Sequence, residues 1–449
     1  MARLFGTDGV RGVANKELTC EIAYRLGQAA VAFLGESIVI GKDTRLSGDM
    51  LESAVAAGIM SAGGTALVAG VIPTPGVAFL TRELHADGGI VISASHNPPE
   101  YNGIKLFDAE GFKLRDAVED EIEAFIAGGG LEGAADVEVP RGDEVGIMLP
   151  VEDAVELYIN HAVSSIEAQG VDFSGLHIAL DAGHGASALS SAEAFERLGA
   201  RVTVINDDYD GCDINVECGS TCLGPLRELM AQSGADVGVA HDGDADRVML
   251  MTPDGSEIDG DFIEALLAID LHERGLLFED TVVSTVMCNL GFVHAMRDAG
   301  IKVVQTKVGD RYVLGEMREH GYSIGGEQSG HMIMLEHNST GDGLMTACQY
   351  LAAVVRSGKS VAEAAAVMTR FPQELINVKV ADKHALEGNE AIAASVSAVE
   401  AELGDEGRVL IRPSGTEPLI RVMVEASSEE AAVSMANRIA DVVRSELGE

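Results

Sequence analysis

The chain has 449 residues, 47% of them hydrophobic and 52 of them glycine, so it is long enough to bury several cores and lacks the composition of a disordered chain. Its 72 acidic against 31 basic residues give a formal charge of −41, which excludes nucleic acid and anionic membrane as partners, because both demand clustered cations. The opening MARLFGTDGV holds no signal-length apolar run and no later segment approaches a membrane span, so a cytoplasmic protein is expected, with cysteines 20, 212, 218, 222, 288 and 348 reduced.

In chain order, SIVIGKD (37–43) reads as a buried strand, followed by a helix over 48–62, a Gly63-Gly64 stop and a second strand, TALVAGV. The same sentence is written twice more. LHIALDAGHG leads to a helix over 187–198, Gly199 and RVTVIND; DTVVSTVMCN leads to a helix over 291–299, Gly300 and IKVVQTK. Each unit continues as strand, polar loop, strand, with loops at 93–103, 241–247 and 325–331. Ligands of doubly wound sheets collect at strand ends, so three equivalent loops are predicted to face one cleft. FIAGGGLEGA (125–134) reads as an exposed loop. GRVLIRPSGTEPLIRVMVEA and a helix over 428–447 differ in kind. The predicted fold is α/β, three related α/β units with mixed sheets around a cleft plus a C-terminal α+β cap, with domains at 1–150, 151–254, 255–370 and 371–449.

The first loop, VISASHNPPEYNGIKLF, carries Ser95 and His96 before a stiff diproline. It is no nucleophile elbow, since Ser93 and Asn97 stand where that motif needs glycines. Nor is a Ser95–His96 dyad expected, because neighbouring side chains of an extended chain point to opposite sides. In HDGDADRV, alternation puts the Asp242, Asp244 and Asp246 carboxylates on one side, where they repel unless a cation offsets them. Arg247 and Pro253 break the calcium-loop pattern, and magnesium fits a site of few protein oxygens plus a phosphate oxygen. GGEQSGH offers Glu327, Ser329 and His331 beside glycines that let a ligand approach. RPSGTEP offers Ser414, Gly415 and Thr416 in a nest-like turn with Arg412 and Arg421 for a phosphate. Arg11, Lys42, Arg45, Lys105, Arg247, Lys307 and Arg311 all mark turn loops, which suggests that an anion is bound there.

Together SASHNP with NGIK, DGDADR, GEQSGH and RPSGTEP, in this order, resemble the α-D-phosphohexomutase superfamily; LFGTDGVRG, Gln328 and Cys218 are similar to its branch acting on glucosamine phosphate. The resemblance implies that Ser95 is a phosphoserine and that glucosamine 6-phosphate and glucosamine 1-phosphate interconvert through a 1,6-bisphosphate. It implies one Mg²⁺ per chain held by Asp242, Asp244, Asp246 and the Ser95 phosphate, with Lys105 and His331 moving protons and Arg11, His96 and Arg247 completing the catalytic set. Glu327 and Ser329 would bind sugar hydroxyls; Arg412, Ser414, Gly415, Thr416 and Arg421 would bind the phosphate not being transferred. Glucosamine or glucose 1,6-bisphosphate as activator, a phosphosugar as the small-molecule partner, a homodimer and a kinase charging Ser95 are further implications. Cys288, Cys222 and Ser93 depart from the branch pattern without removing a named group. A phosphomannomutase/phosphoglucomutase, which typically has Met at position 328, and a non-catalytic phosphosugar-binding protein are the alternative readings.

Overall fold

The computed structural model describes residues 3–6, 8–133, 139–414 and 418–448, which form two compact units. The first spans Met1–Met287 and Gly300–Val367 and holds three sheets. One is built from β1 (Val10–Val13), β2 (Ser37–Lys42), β3 (Thr65–Val71), β4 (Gly88–Ile92), β5 (Tyr101–Asp108) and β6 (Met148–Pro150). The second contains β7 (His177–Asp181), β8 (Arg201–Ile205), β9 (Val237–His241), β10 (Val248–Met251) and β11 (Glu257–Ile258). The third contains β12 (Thr281–Thr285), β13 (Lys302–Thr306), β14 (Ile324–Gly326) and β15 (Met332–Met334).

The repeat read in the sequence is a topological repeat. The strand orders β3-β2-β4-β5, β8-β7-β9-β10 and β13-β12-β14-β15 are the same, and in each the first three strands are parallel and the fourth antiparallel. Strands such as β4 and β9 are buried along their whole length, as central strands covered on both faces are, which is why they read as unbroken apolar runs. Gly63, Gly199 and Gly300 take φ of +86°, +96° and +78°, the left-handed turn that ends a helix and that glycine favours. The β4–β5, β9–β10 and β14–β15 hairpins carry the three polar loops. Helices α1 (Cys20–Phe33) and α2 (Gly48–Ser61) cover the first sheet, whose core includes Leu26, Ile38, Ile40, Leu51, Val55 and Ile90. Burying each such side chain is worth about 1.5–3 kcal/mol.

Residues 125–134 are not an exposed loop as far as they are described. A helix, α3 (Asp116–Ala127), runs on to Ala127, and a 3₁₀ turn over Gly130–Gly133 buries Gly130 and Leu131, with the Leu131 amide 3.5 Å from Gln28 Oε1 of α1. A buried glutamine on a neighbouring helix supplies what the glycine-rich segment lacks.

The second unit comprises Cys288–Ala299 and Met368–Glu449. Its antiparallel sheet has the order β16 (Gln373–Lys379), β18 (Leu419–Ala426), β17 (Gly407–Pro413). Val422 and Val424 pack with Val399, Ile439 and Val443 of helices Glu390–Leu403 and Glu429–Leu447. The helix Leu290–Asp298 joins this unit through buried Glu425, which accepts from the Leu290 amide at 3.0 Å, Asn289 Nδ2 at 3.2 Å and Arg408 Nε at 2.6 Å. All six cysteines are free, and among the described residues no helix is long and apolar enough to cross a membrane.

Candidate active site

Within the first unit the three polar loops meet. Ser95 Oγ donates to Asp242 Oδ2 at 2.7 Å. Lys105, on β5, donates to Asp244 Oδ2 at 2.9 Å and lies 3.5 Å from Asp246 Oδ2. His331 Nε2, at the start of the strand after the third loop, is 4.0 Å from Asp246 Oδ2. Ser95, Lys105, Asp242, Asp244, Asp246 and His331 are all buried.

Ser95 sits at φ +53°, left-handed backbone that is uncommon outside glycine. That twist overturns the expectation of divergent neighbours, because it brings His96 Nδ1 to 3.3 Å from Ser95 Oγ. The rule of opposite sides holds for extended chain only. Burial first, then the positive charges of Arg247 and Arg11, hold the His96 pKa below its usual value, so the ring beside Ser95 is kept neutral.

The three aspartates place one ligand oxygen each within 4.8 Å of one another. Asp244 Oδ1 and Asp246 Oδ1 are buried without a hydrogen-bond donor. Asp242 is pushed well above the usual carboxylate range by burial and by the charges of Asp246 and Asp244. Burial would raise Asp244 too, but Lys105 and the Thr74 hydroxyl, 2.7 Å away, hold it low. Orphaned buried oxygens on mutually repelling carboxylates are the donor set of a hard divalent cation, so these residues fit one.

Sequence reading missed a second layer of charge. Lys105 also lies 3.1 Å from Asp8, which pairs with Arg11; Lys113 contacts both Asp8 and Asp310, and Asp310 Oδ2 is 3.9 Å from His331 Nε2. Against burial, the carboxylates of Asp244, Asp8 and Asp246 hold the Lys105 pKa above its usual value. His331, by contrast, has neither ring nitrogen in a hydrogen bond.

Several loop cations are engaged internally rather than left for an anion. Lys42 pairs with Asp49 and Glu52, Arg311 with Asp116, and Lys307 lies 5.8 Å above the Tyr312 ring. Arg45 is wholly buried on backbone carbonyls. With 72 carboxylates in the chain, most cations find one nearby, and a count of loop cations could not foresee that. Arg247, beside Asp246 at 3.7 Å, has its Nε buried without a hydrogen bond. In the third loop Glu327 Oε1 accepts from the Gly309 amide at 3.0 Å, Gln328 Nε2 donates to Asp261 at 3.2 Å, and Ser329 is exposed.

Models of four phosphoglucomutase/phosphomannomutase domains match this chain in sequence: alpha/beta/alpha domain I at residues 2–131, domain II at 156–255, domain III at 259–371 and the C-terminal domain at 375–442. The chain belongs to the phosphoglucomutase/phosphomannomutase family. Proteins named phosphoglucosamine mutase are similar over the full chain: that of Thermobifida fusca is 52% identical over 455 residues, covering 100% of this chain and 99% of its own, and that of Leifsonia xyli subsp. xyli is 50% identical with full coverage of both. A crystal structure of a phosphoglucomutase/phosphomannomutase family protein from Burkholderia thailandensis superposes with a TM-score of 0.81, covering 100% of this chain and 99% of that one; at 24% identity this is a likeness of fold.

The family's C-terminal domain is where this chain carries Arg412 and Arg421, which face each other across β17 and β18. Like charges directly opposite are unfavourable, and among the described residues Arg421 Nε is buried without a hydrogen-bond partner. Burial, then Arg421, lowers the Arg412 pKa. Ser414 is buried beside them, and its carbonyl accepts from Lys383 Nζ at 2.7 Å, a cation that sequence reading missed. Gly415 and Thr416 lie outside the described residues.

Proposed function

We propose that this protein interconverts glucosamine 6-phosphate and glucosamine 1-phosphate through a phosphoserine at Ser95 and a 1,6-bisphosphate intermediate. The observation that carries it is Ser95 Oγ, 2.7 Å from Asp242 at the edge of three buried aspartates fit for a divalent cation. The names of the half-identical relatives support the amino sugar. Phosphoryl transfer asks mainly for positioning and charge neutralisation, and these groups provide both.

In the forward direction the bond between phosphorus and Ser95 Oγ breaks as one forms to the sugar O1, and the O1 proton passes to a base. His331, with both ring nitrogens free, takes that proton and gives it to O6 in the second transfer, after the bisphosphate has turned over; Lys105, as an ammonium, balances charge beside the proton exchange. Ser95 Oγ then recovers phosphoryl from O6. Mg²⁺, one per chain on Asp242, Asp244, Asp246 and the Ser95 phosphate, would neutralise the transferring phosphoryl oxygens. Arg11, His96 and Arg247 line the transferring group; Glu327 and Ser329 take sugar hydroxyls. Arg412, Ser414, Arg421, Gly415 and Thr416 bind the other phosphate. The bisphosphate serves as activator, and a cytoplasmic homodimer is the working state, with a kinase as one source of the first phosphate on Ser95. The domain division 1–150, 151–254, 255–370 and 371–449 is supported by one sheet for each segment, apart from β11, which crosses the second boundary to pair with β10.

Coupled assays with glucosamine, glucose and mannose phosphates test the substrate: the highest kcat/KM is expected for glucosamine phosphate. Equal or higher values for the others would indicate a phosphomannomutase/phosphoglucomutase, and binding without turnover a phosphosugar-binding protein. Ser95→Ala should fold and lose all turnover, with peptide mass mapping of the wild type finding phosphate at Ser95.

A further inference from the structure

Ser95 holds a left-handed backbone conformation that disfavours a non-glycine residue, so something must hold it there. The neighbourhood supplies one candidate. Arg45, 2% exposed, reaches the 93–101 hairpin from the turn after β2. Its Nη2 donates to Ser95 O at 2.8 Å and Asn97 O at 2.7 Å; its Nη1 donates to Tyr101 O at 3.0 Å and to Pro98 O. Its Nε donates to Asp43 Oδ2 at 2.9 Å. All five N–H bonds of the guanidinium are thereby used. The carbonyls of four residues converge on one cation, an arrangement that would repel itself without it.

Asp43 ties the other side of the loop to the same point. Its Oδ2 accepts from Ser93 Oγ at 2.6 Å, and Ser93 Oγ accepts from the Ser95 amide at 2.9 Å. The Ser95 peptide is therefore held at its N–H through Ser93 and Asp43, and at its C=O through Arg45. Asn215 adds a second donor to Ser95 O at 2.9 Å, from the segment after β8.

We propose that Arg45 is a positioning residue for phosphoryl transfer: it holds the Ser95 backbone in the left-handed conformation from which Oγ reaches Asp242, and so governs transfer to and from Ser95 rather than binding of the sugar. The inference rests on the reading of Ser95 as the phosphoryl carrier. No guanidinium N–H is left to touch a substrate phosphate, so sugar affinity should not depend on Arg45. Displacing a reacting atom by about 1 Å can cost about 10²-fold in rate. Lysine keeps the charge but offers three donors and no planar fork.

The test is Arg45→Lys in the full-length protein. Far-UV circular dichroism should show the fold retained, kcat should fall about 10²-fold, and KM for glucosamine 6-phosphate should stay within about threefold. Phosphorylation of Ser95 by glucose 1,6-bisphosphate, followed by intact mass, should slow in parallel. Unchanged kcat would overturn the proposal, and so would a raised KM at unchanged kcat, which would make Arg45 a substrate contact. If Arg45→Lys does not fold, Asn215→Leu decides: it removes the second donor to Ser95 O together with the 3.4 Å bond to Asn97 O, and should lower kcat about 3- to 10-fold at constant KM, whereas wild-type kcat would sink the idea. Failure of the Ser95 reading itself would show separately, as activity surviving in Ser95→Ala.

Discussion

The β4–β5 and β14–β15 hairpins hold the same place in two copies of one unit, yet they are fixed by opposite means. In the first, side chains hold the backbone: Arg45, Asp43 and Asn215 take up the peptide groups around Ser95, and Ser93, Ala94 and Ser95 are buried. In the second, backbone holds backbone. Gly330 O accepts from the Val248 amide at 3.1 Å, Gln328 O accepts from the Gly260 amide at 3.0 Å, and a Cβ on Gly330 would sit 2.1 Å from Val248 O. The side chains of Glu327, Gln328 and Ser329 are left partly or fully exposed. The first loop has one oxygen fixed by its side-chain surroundings; in the second, Glu327 and Gln328 are each held by a single hydrogen bond, to the Gly309 amide and to Asp261, and Ser329 is exposed.

The contrast can be broken at its join, where His331 ends the second hairpin. A Cβ at Gly341 would lie 2.3–2.5 Å from three atoms of the His331 ring. Gly341→Ala should therefore displace the imidazole and lower kcat about 10²-fold, the usual worth of a positioned acid–base group, and slow phosphorylation of Ser95 by bisphosphate in parallel, since that transfer runs the same proton exchange in reverse. Stopped-flow and mass measurements on that variant follow both. A smaller effect is expected at the exposed side of the same loop: Glu327→Gln should raise KM for the sugar phosphate about 10-fold and leave the rate of Ser95 phosphorylation by bisphosphate within about twofold, as steady-state and single-turnover assays would show.

The smallest effect concerns stability. Under the first hairpin the buried acid, Asp43, is paired with Arg45; under the second, Glu264 of the helix Gly260–Glu273 is fully buried with no cation and no carboxylate oxygen at hydrogen-bond geometry. Burial, then Asp261, pushes its carboxyl well above the usual range, and Glu327 adds to this. The folded chain keeps a proton that the unfolded chain releases, so stability present below about pH 4.3 is lost as pH rises toward the folded value. Glu264→Leu should flatten that alkaline loss and stabilise the protein by about 1–2 kcal/mol at pH 8, with little change at pH 4. Calorimetry at the two pH values checks it; equal shifts at both would refute the assignment.

Much of the frame was legible because parallel strands buried on both faces leave unbroken apolar runs, and because a loop must follow each. The 242/244/246 alternation was legible for the same local reason. What escaped was long-range. Arg45 meets carbonyls some 50 residues away, Lys113 bridges Asp8 and Asp310, and Glu425 draws the helix at 290–298 into the C-terminal unit. Ser95 and His96 were read with the geometry of an extended strand, and only the clamp that imposes φ +53° explains why that rule fails there.

The Arg412–Arg421 pair has a practical side. Two arginines directly opposite each other on adjacent strands concentrate positive charge on the C-terminal sheet. If that pair takes an anion, phosphate or sulfate in a buffer should raise the melting temperature of the C-terminal unit and compete with substrate in an assay. In a chain of net charge −41, a like-charged pair whose Arg421 Nε is buried with no hydrogen-bond partner among the described residues is a place where an anion would be repelled least.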